Sequence, residues 1–136
     1  MVSVNPGSIS TTPASAVMNG GILIPPTFFP RSEEAARLIG KRVLKPSTSE
    51  QMRYLMRLNV LAPGGSGKSA DIPGYRIGGK TGTAEKVENG RYSNNKRFNA
   101  FVATFPIDDP QYLVLVVLDE PNPERPGLPA TAGMNA

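Results

Sequence analysis

The spacing of hydrophobic and polar residues changes character near the middle of the chain. Before Pro63, apolar positions recur every three or four residues, which is typical of a helix that buries one face. This spacing is clearest after a Ser47–Glu50 capping box, at the positions Met52, Leu55, Met56 and Asn59. We therefore predict a helix that begins at Ser47 and ends before Pro63.

Shorter elements precede this helix. Small residues from Ala14 to Met18, after Thr12 as the capping residue, predict a short helix that ends in an Asn-Gly-Gly turn. The segment from Ser32 to Gly40 has a capping serine, helical spacing and a terminal glycine, so it predicts a second helix. Ile22 to Ile24 and Thr27 to Phe29, which flank a double proline, predict a bent edge strand or an extended loop, and Lys41 to Lys45 predicts another short strand.

The second half of the chain has the patterns of strands. Arg76 to Val87 predicts one strand, Asn89 and Gly90 form a hairpin signal, and Phe98 to Phe105 alternates as the returning strand. After an Asp-Asp-Pro turn, the Val- and Leu-rich run from Tyr112 to Leu118 predicts a strand buried on both faces. We expect three successive antiparallel strands.

These elements predict an α+β fold, with a mainly antiparallel sheet and helices packed on it. The 136 residues allow one domain at most. The longest apolar run, Tyr112 to Leu118, is far shorter than a membrane-spanning helix requires, so we expect a soluble segment. Pro121 to Pro129 is interpreted as a proline-rich loop, and Ala130 to Ala136 has no predicted element.

The amino-acid composition excludes most familiar catalytic mechanisms. The chain has no His, Cys or Trp, so any catalysis must use Lys, Ser, Thr, Tyr or carboxylates, and we expect no metal and no cofactor. Its 15 Lys and Arg residues exceed its 11 acidic residues only slightly and are scattered, so nucleic acid is not an expected partner. The acidic pairs Asp108–Asp109 and Asp119–Glu120 each precede a proline and are interpreted as turn residues.

One glycine-rich segment nearly matches a phosphate loop. Ala62 to Ser69 reads A-P-G-G-S-G-K-S, with Ala62 in a position where that motif requires glycine. A phosphate loop needs a strand before it and a helix after it, whereas here a helix precedes it and a Pro73–Gly74 turn soon follows. A nucleotide-binding protein using Gly64 to Ser69 is thus an alternative that we rank below an ordinary linker.

A second glycine-rich segment, Gly78 to Ala84, reads G-G-K-T-G-T-A inside a predicted strand. Alternation places the hydroxyls of Thr81 and Thr83 on one side, while Gly82 leaves room for another backbone or a ligand. Lys80 adds a positive charge. The segment therefore predicts a binding edge for an extended peptide that ends in a carboxylate.

The K-T-G triplet is a signature of penicillin-binding proteins and class A β-lactamases. The chain around it resembles, nearly throughout and in order, the C-terminal part of the transpeptidase domain of class B penicillin-binding proteins of the division-specific, penicillin-binding protein 3 type. The matching segments are Met18 to Thr27, Met52 to Leu58, Ile72 to Lys86, Gly90 to Lys96 and Phe105 to Tyr112.

This resemblance implies a penicillin-binding transpeptidase, β-lactamase-like fold and a serine D,D-transpeptidase that cross-links peptidoglycan stem peptides during septal cell-wall synthesis. It implies β-lactam binding, divisome proteins as partners, and a location at the periplasmic face of the bacterial inner membrane. Lys80 and Thr83 would be catalytic, with the Thr83 N–H as half of an oxyanion hole. Lys80, Thr81, Gly82 and Thr83 would bind the substrate.

The sequence departs from the family pattern in one respect. The family's S-x-x-K nucleophile motif and its S-x-N motif precede K-T-G, whereas the one S-x-x-K here, Ser93 to Lys96, follows it, overlaps an S-x-N and is interpreted as a solvated hairpin. We expect residues 1–136 to be a partial transpeptidase domain, inactive alone, without the anchor, the pedestal domain and the nucleophile-bearing segment. The alternative is a non-catalytic binding or scaffolding module. Self-association through an exposed sheet edge is also expected.

Overall fold

The computed structural model describes residues 11–88 and 91–120 of the chain. It confirms the predicted α+β class, with three α-helices and two antiparallel sheets, one of two strands and one of three, in these residues. In chain order the elements are α1 (Thr11–Met18), β1 (Ile22–Leu23), α2 (Glu33–Ile39), β2 (Lys41–Arg42), α3 (Pro46–Leu61), a 3₁₀ turn (Lys68–Ala70), β3 (Gly78–Glu88), β4 (Arg91–Phe105) and β5 (Tyr112–Asp119).

The first short helix ends where glycine allows the chain to turn, and the second begins at the predicted cap. After α1, Gly21 has a φ of +88°, and a side chain there would lie 2.3 Å from the Leu44 carbonyl oxygen. The Gly21 N–H donates to the Ala16 carbonyl at 2.9 Å, which closes the helix. Helix α2 begins as predicted, because the Ser32 hydroxyl accepts a hydrogen bond from the Ala35 N–H at 3.2 Å.

Two predicted helix caps differ from the structure. Thr12 lies inside α1 rather than ahead of it, and α3 begins at Pro46 instead of using Ser47 as its cap. Proline suits the first turn of a helix because its φ is already helical and it lacks the N–H that would be unpaired there. The residue before it, Lys45, provides no side-chain cap.

Strands β3, β4 and β5 form an antiparallel sheet in that order, as predicted, while β1 and β2 pair separately. The register places Lys80 opposite Val102 and stays regular from Gly78 until an irregularity just after Glu85. Strand β4 starts earlier than the predicted Phe98. The Asn89–Gly90 turn lies outside the described residues, although the flanking residues Glu88 and Arg91 pair.

Strand β5 is less buried than the sequence indicated. Its exposed side chains include Tyr112 at 62%, Val114 at 42% and Val116 at 51% exposure, so the predicted burial on both faces is wrong. These three residues share one face of the strand, and β5 is the last strand of the described sheet. A Val- and Leu-rich run indicates a strand but not which neighbours cover it.

The core lies between the helices and one face of the sheet. Met18 of α1, Met56 of α3 and Ile107 are buried together, and partly buried apolar residues pack against them: Val17, Val102 and Leu113. The buried Ser49 hydroxyl donates to the Val17 carbonyl and so fixes α3 against α1. No helix among the described residues is long and apolar enough to cross a membrane. The predicted loop at Pro121–Pro129 and the segment Ala130–Ala136 lie outside those residues.

Candidate functional site

The edge of β3 that faces away from β4 carries the K-T-G motif. Side chains donate to three carbonyls spaced two residues apart: Arg57 Nη1 to Ile77 O at 2.7 Å, Asn59 Nδ2 to Gly79 O at 2.9 Å, and Lys80 Nζ to Thr81 O at 2.8 Å. Because alternate residues of a strand direct their N–H and C=O groups to the same edge, the main-chain groups of Thr83 face this edge as well.

This edge has a covered part and an open part. Helix α3 covers it as far as Gly79 through the side chains of Arg57 and Asn59. Beyond that point Gly82 and Thr83 are exposed, and a side chain added at Gly82 would meet no atom within 4 Å. The open part can therefore accept another extended chain at the place the sequence predicted.

A line of hydrogen bonds joins the motif to the preceding loop. Lys80 Nζ donates to Thr81 Oγ1 at 3.2 Å, and Thr81 Oγ1 donates to Ser66 Oγ at 2.8 Å. Ser66 Oγ in turn donates to Asn59 Oδ1 at 3.2 Å. The ammonium group and two hydroxyls are thus ordered by one amide side chain, which itself also donates to the Gly79 carbonyl at 2.9 Å.

The glycine-rich loop is attached to α3 by Asn59 rather than being an ordinary linker. The Ser66 N–H donates to Asn59 Oδ1 at 3.2 Å, and the Gly67 N–H donates to the Asn59 carbonyl at 3.3 Å. A side chain at Gly65 would lie 1.9 Å from that carbonyl oxygen, so the loop's close approach to the helix requires glycine there.

This geometry does not support a phosphate loop. The segment follows helix α3, and the element after Ser66 is a 3₁₀ turn of three residues, Lys68–Ala70, instead of an α-helix. A phosphate loop depends on the N–H groups at the start of a following helix, which this arrangement lacks within the described residues.

The two faces of β3 have different surroundings. Thr81 and Thr83 lie on one face, as predicted from alternation, and Phe101 pairs with Thr81 on β4. Lys80 lies on the other face and borders a cavity of about 270 Å³, whose lining is otherwise apolar apart from Asn59. The Lys80 stem therefore lies beside apolar surface, while its ammonium group reaches the polar edge.

Asp108 and Asp109 lie in the connection between β4 and β5, as the turn interpretation predicted, whereas Asp119 is the last residue of β5 and Glu120 follows it. Arg76 forms a bidentate ion pair with Asp108, which lowers the pKa of the Asp108 carboxyl. Lys86 Nζ lies 2.6 Å from an Asp119 oxygen and 2.9 Å from a Glu120 oxygen, and these bonds raise the pKa of Lys86. Among residues 11–88 and 91–120, no group of three or more acidic side chains could hold a metal ion.

The sequence predicted Lys80, Thr81, Gly82 and Thr83 as site residues, and the structure places all four consecutively on β3, beside the edge that faces away from β4. The sequence did not indicate that Ser66 and Asn59 are neighbours of that edge. In the sequence, Ser66 belongs to the near match to a phosphate loop, and Asn59 is the last position of the helical spacing. The glycine-rich spacing after Asn59 was the available signal, because such a loop can approach a helix closely.

Comparison with known proteins finds a matching family model, similar relatives and similar solved structures. The family model for the penicillin binding protein transpeptidase domain matches residues 11–134. The probable peptidoglycan D,D-transpeptidase FtsI of Caulobacter vibrioides is 44% identical over 114 residues, which cover 79% of this chain but 19% of that protein. The chain thus spans about a fifth of this relative.

Solved structures of similar fold belong to penicillin-binding proteins as well. The apo transpeptidase domain of Burkholderia pseudomallei penicillin-binding protein 3 is similar with a TM-score of 0.74 and 34% identity, covering 82% of this chain and 33% of that one. Penicillin-binding protein 3 of Mycobacterium tuberculosis, complexed with aztreonam, is similar with a TM-score of 0.67 and 27% identity, covering 81% and 28% of the two chains.

Proposed function

Because the chain belongs to the penicillin-binding protein transpeptidase family, we propose that it forms one wall of the active site of a peptidoglycan D,D-transpeptidase. The observation that carries this proposal is the open edge of β3, where main-chain groups, two threonine hydroxyls and one ammonium group lie together. A stem peptide that ends in D-Ala–D-Ala has the matching chemistry, an extended backbone and a terminal carboxylate.

In this proposal the stem peptide pairs with β3 as an added strand beyond Gly79. Lys80 and the hydroxyls of Thr81 and Thr83 bind the terminal carboxylate through charge-assisted hydrogen bonds. Gly82 leaves room for the peptide, consistent with the empty space around its Cα. The Lys80 ammonium must leave the Thr81 carbonyl, to which it donates at 2.8 Å, before a peptide can pair there.

For catalysis, a serine oxygen attacks the carbonyl carbon between the two D-Ala residues, and the terminal D-Ala leaves with a proton. The Thr83 N–H supplies half of the oxyanion hole, which its direction toward the open edge allows. The Lys80 ammonium donates to the Thr81 hydroxyl at 3.2 Å, so it places a positive charge beside the proposed carboxylate site. No S-x-x-K motif precedes Lys80 in these 136 residues, so we propose that another segment of the enzyme supplies the nucleophile.

A β-lactam presents a reactive carbonyl and a nearby anionic group, a carboxylate or a sulfonate, so we propose that it uses the same groups. The Mycobacterium tuberculosis relative has been solved in complexes with aztreonam and with ampicillin. We further propose a role in septal synthesis with divisome proteins as partners, which the FtsI name of a relative supports. Peptidoglycan is assembled outside the cytoplasmic membrane, so the proposed location is the periplasmic face of the inner membrane.

The proposal is tested by titrating the isotope-labelled chain with a diacylated Lys-D-Ala-D-Ala peptide and recording backbone amide shifts. We expect shifts at Thr81 to Thr83 and a weaker response to the same peptide ending in an amide. Lys80→Ala is expected to weaken binding of the acid by about tenfold or more, since a charge-assisted hydrogen bond is lost. Equal binding of the acid and the amide by the wild-type chain would contradict the proposed carboxylate site.

A second experiment locates the nucleophile. Intact-mass spectrometry after incubation of the chain with a fluorescent penicillin is expected to show no stable adduct. An adduct on a serine of this chain, with Ser93 as the first candidate because it begins the S-x-x-K match, would contradict a nucleophile from another segment. The same result would also exclude the alternative of a non-catalytic scaffolding module.

A further inference from the structure

The loop between α3 and β3 contributes a side chain to the open edge that the K-T-G motif does not include. Ser66 is exposed, yet its hydroxyl takes part in two hydrogen bonds, one donated to Asn59 Oδ1 and one accepted from Thr81 Oγ1. We propose that Ser66, fixed by Asn59, is a positioning residue that orients the Thr81 hydroxyl toward a ligand carboxylate. This inference rests on the proposed function and extends it to a residue outside the motif.

The first step of the argument is geometric. Thr81 Oγ1 lies 2.8 Å from Ser66 Oγ and 3.2 Å from Lys80 Nζ, so the hydroxyl has a fixed partner on each side. A hydroxyl can donate one hydrogen bond and accept two. Without Ser66, the Thr81 side chain would keep only the contact with a flexible lysine, and its rotamer would be less restricted.

The second step concerns Ser66 itself, which could not serve this purpose if the loop moved freely. Asn59 Oδ1 accepts from both the Ser66 N–H and the Ser66 hydroxyl, each at 3.2 Å. The amide group of the same side chain donates to Gly79 O at 2.9 Å, one residue before Lys80. Asn59 therefore fixes the loop and the strand relative to each other.

The third step is the response to an anion. When a carboxylate accepts a hydrogen bond from the Thr81 hydroxyl, Thr81 no longer donates to Ser66 Oγ, and the Ser66 hydroxyl can rotate and donate to Thr81 Oγ1 instead of Asn59 Oδ1. A hydrogen bond donated to Thr81 polarises its O–H and strengthens the bond to the carboxylate. Ser66 then favours the charged ligand without touching it.

The test compares peptide affinities of the 136-residue chain and its variants. Ser66→Ala is expected to weaken binding of the diacylated Lys-D-Ala-D-Ala acid by about threefold to tenfold, the value of one hydrogen bond. Binding of the corresponding amide should not change. Ser66→Thr keeps the hydroxyl and should restore acid binding, and Ser69→Ala, which removes an exposed hydroxyl from the neighbouring 3₁₀ turn, should have no effect.

A double-mutant cycle with Thr81→Val separates positioning from general stability. If Ser66 acts through Thr81, the Ser66→Ala change should weaken acid binding in the wild-type background but have little effect in the Thr81→Val background. Additive losses, or equal losses for acid and amide, would overturn the inference. If Ser66→Ala leaves acid binding unchanged, this inference is wrong while the proposed function stands. If the wild-type chain binds neither peptide, both the proposed function and this inference are wrong.

Discussion

Gly79 and Gly82 stand three residues apart on β3, and their missing side chains have different consequences. An alanine Cβ at Gly79 would lie 2.5 Å from Phe101 Cζ and 2.7 Å from the Val102 carbonyl oxygen. At Gly82 the same atom would meet nothing within 4 Å. The first glycine serves packing between strands, and the second leaves space at the proposed binding edge.

We therefore expect Gly79→Ala to lower the free energy of unfolding by about 1–3 kcal/mol, because the backbone of β4 must shift. Gly82→Ala should change it by no more than about 0.5 kcal/mol while weakening binding of the D-Ala–D-Ala peptide. Urea unfolding and peptide titration of both variants measure the two effects. A Gly79→Ala variant as stable as wild type would contradict the packing role.

The ion pair between Arg76 and Asp108 predicts a pH dependence of stability. Because the pair lowers the pKa of Asp108 in the folded state, its contribution is complete above the unfolded pKa, about 3.9, and is lost as pH falls through the lower folded value. The effect should be small, since both side chains are largely exposed. Thermal unfolding from about pH 6 to about pH 2 should thus show a weaker loss of stability for Asp108→Asn than for wild type.

Asp109→Asn is the matched control, since it removes a neighbouring carboxylate that is not part of the Arg76 pair. It should keep the wild-type acid dependence attributed to Asp108. An Asp108→Asn variant with the same acid dependence as wild type would show that other carboxylates cause it. High salt should reduce the difference between wild type and Asp108→Asn, because exposed charges are screened.

At the scale of elements, the start of α3 is left without a side-chain cap. Lys45 has extended backbone angles, φ −69° and ψ 146°, which a capping residue requires, but its side chain makes no cap hydrogen bond. We expect Lys45→Ser to stabilise the chain by about 0.5–2 kcal/mol in urea unfolding. Lys45→Ala, which removes the lysine without providing a cap, should give no such gain; equal stability of both variants would contradict the argument.

Local signals in the sequence predicted most elements. The capping Ser32, the glycine ends of the short helices and the period of α3 each depend on residues a few positions apart, and the structure confirms these helices. The surroundings of β5 could not be predicted in this way. Whether Val116 is covered depends on strands and helices distant in sequence, and its 51% exposure is set by its place in the sheet.

The residues of the candidate site likewise differ in whether local sequence could predict them. Lys80, Thr81 and Thr83 are recognisable because one strand carries them at fixed spacing. Ser66 and Asn59 reach the same edge from a loop and a helix, and the hydrogen bond from Asn59 to Gly79 joins residues 20 positions apart. The spacing of apolar residues along the chain does not predict such a contact, since the contact depends on how α3 lies against β3.

At the scale of the whole molecule, β5 is an edge strand of the described sheet with an exposed apolar face. We therefore propose that the predicted self-association of this chain uses the exposed edge strand β5. We expect sedimentation velocity to show a fraction of oligomers that increases with protein concentration. The Val116→Lys change should reduce this fraction. Leu38→Lys, which places the same charge at an 81% exposed position on α2, should not reduce them. A wild-type chain that remains monomeric at every concentration would contradict the proposal.

The contact between the Lys80 ammonium and the Thr81 carbonyl has a kinetic consequence. Exposed side chains change rotamer within picoseconds to nanoseconds, far faster than a peptide at ordinary concentrations encounters the strand edge. Displacement of Lys80 therefore does not limit the association rate. Once the ammonium has moved to the ligand's carboxylate, the ligand leaves only when that bond breaks, so the contribution of Lys80 to affinity is expected mainly in a slower dissociation rate.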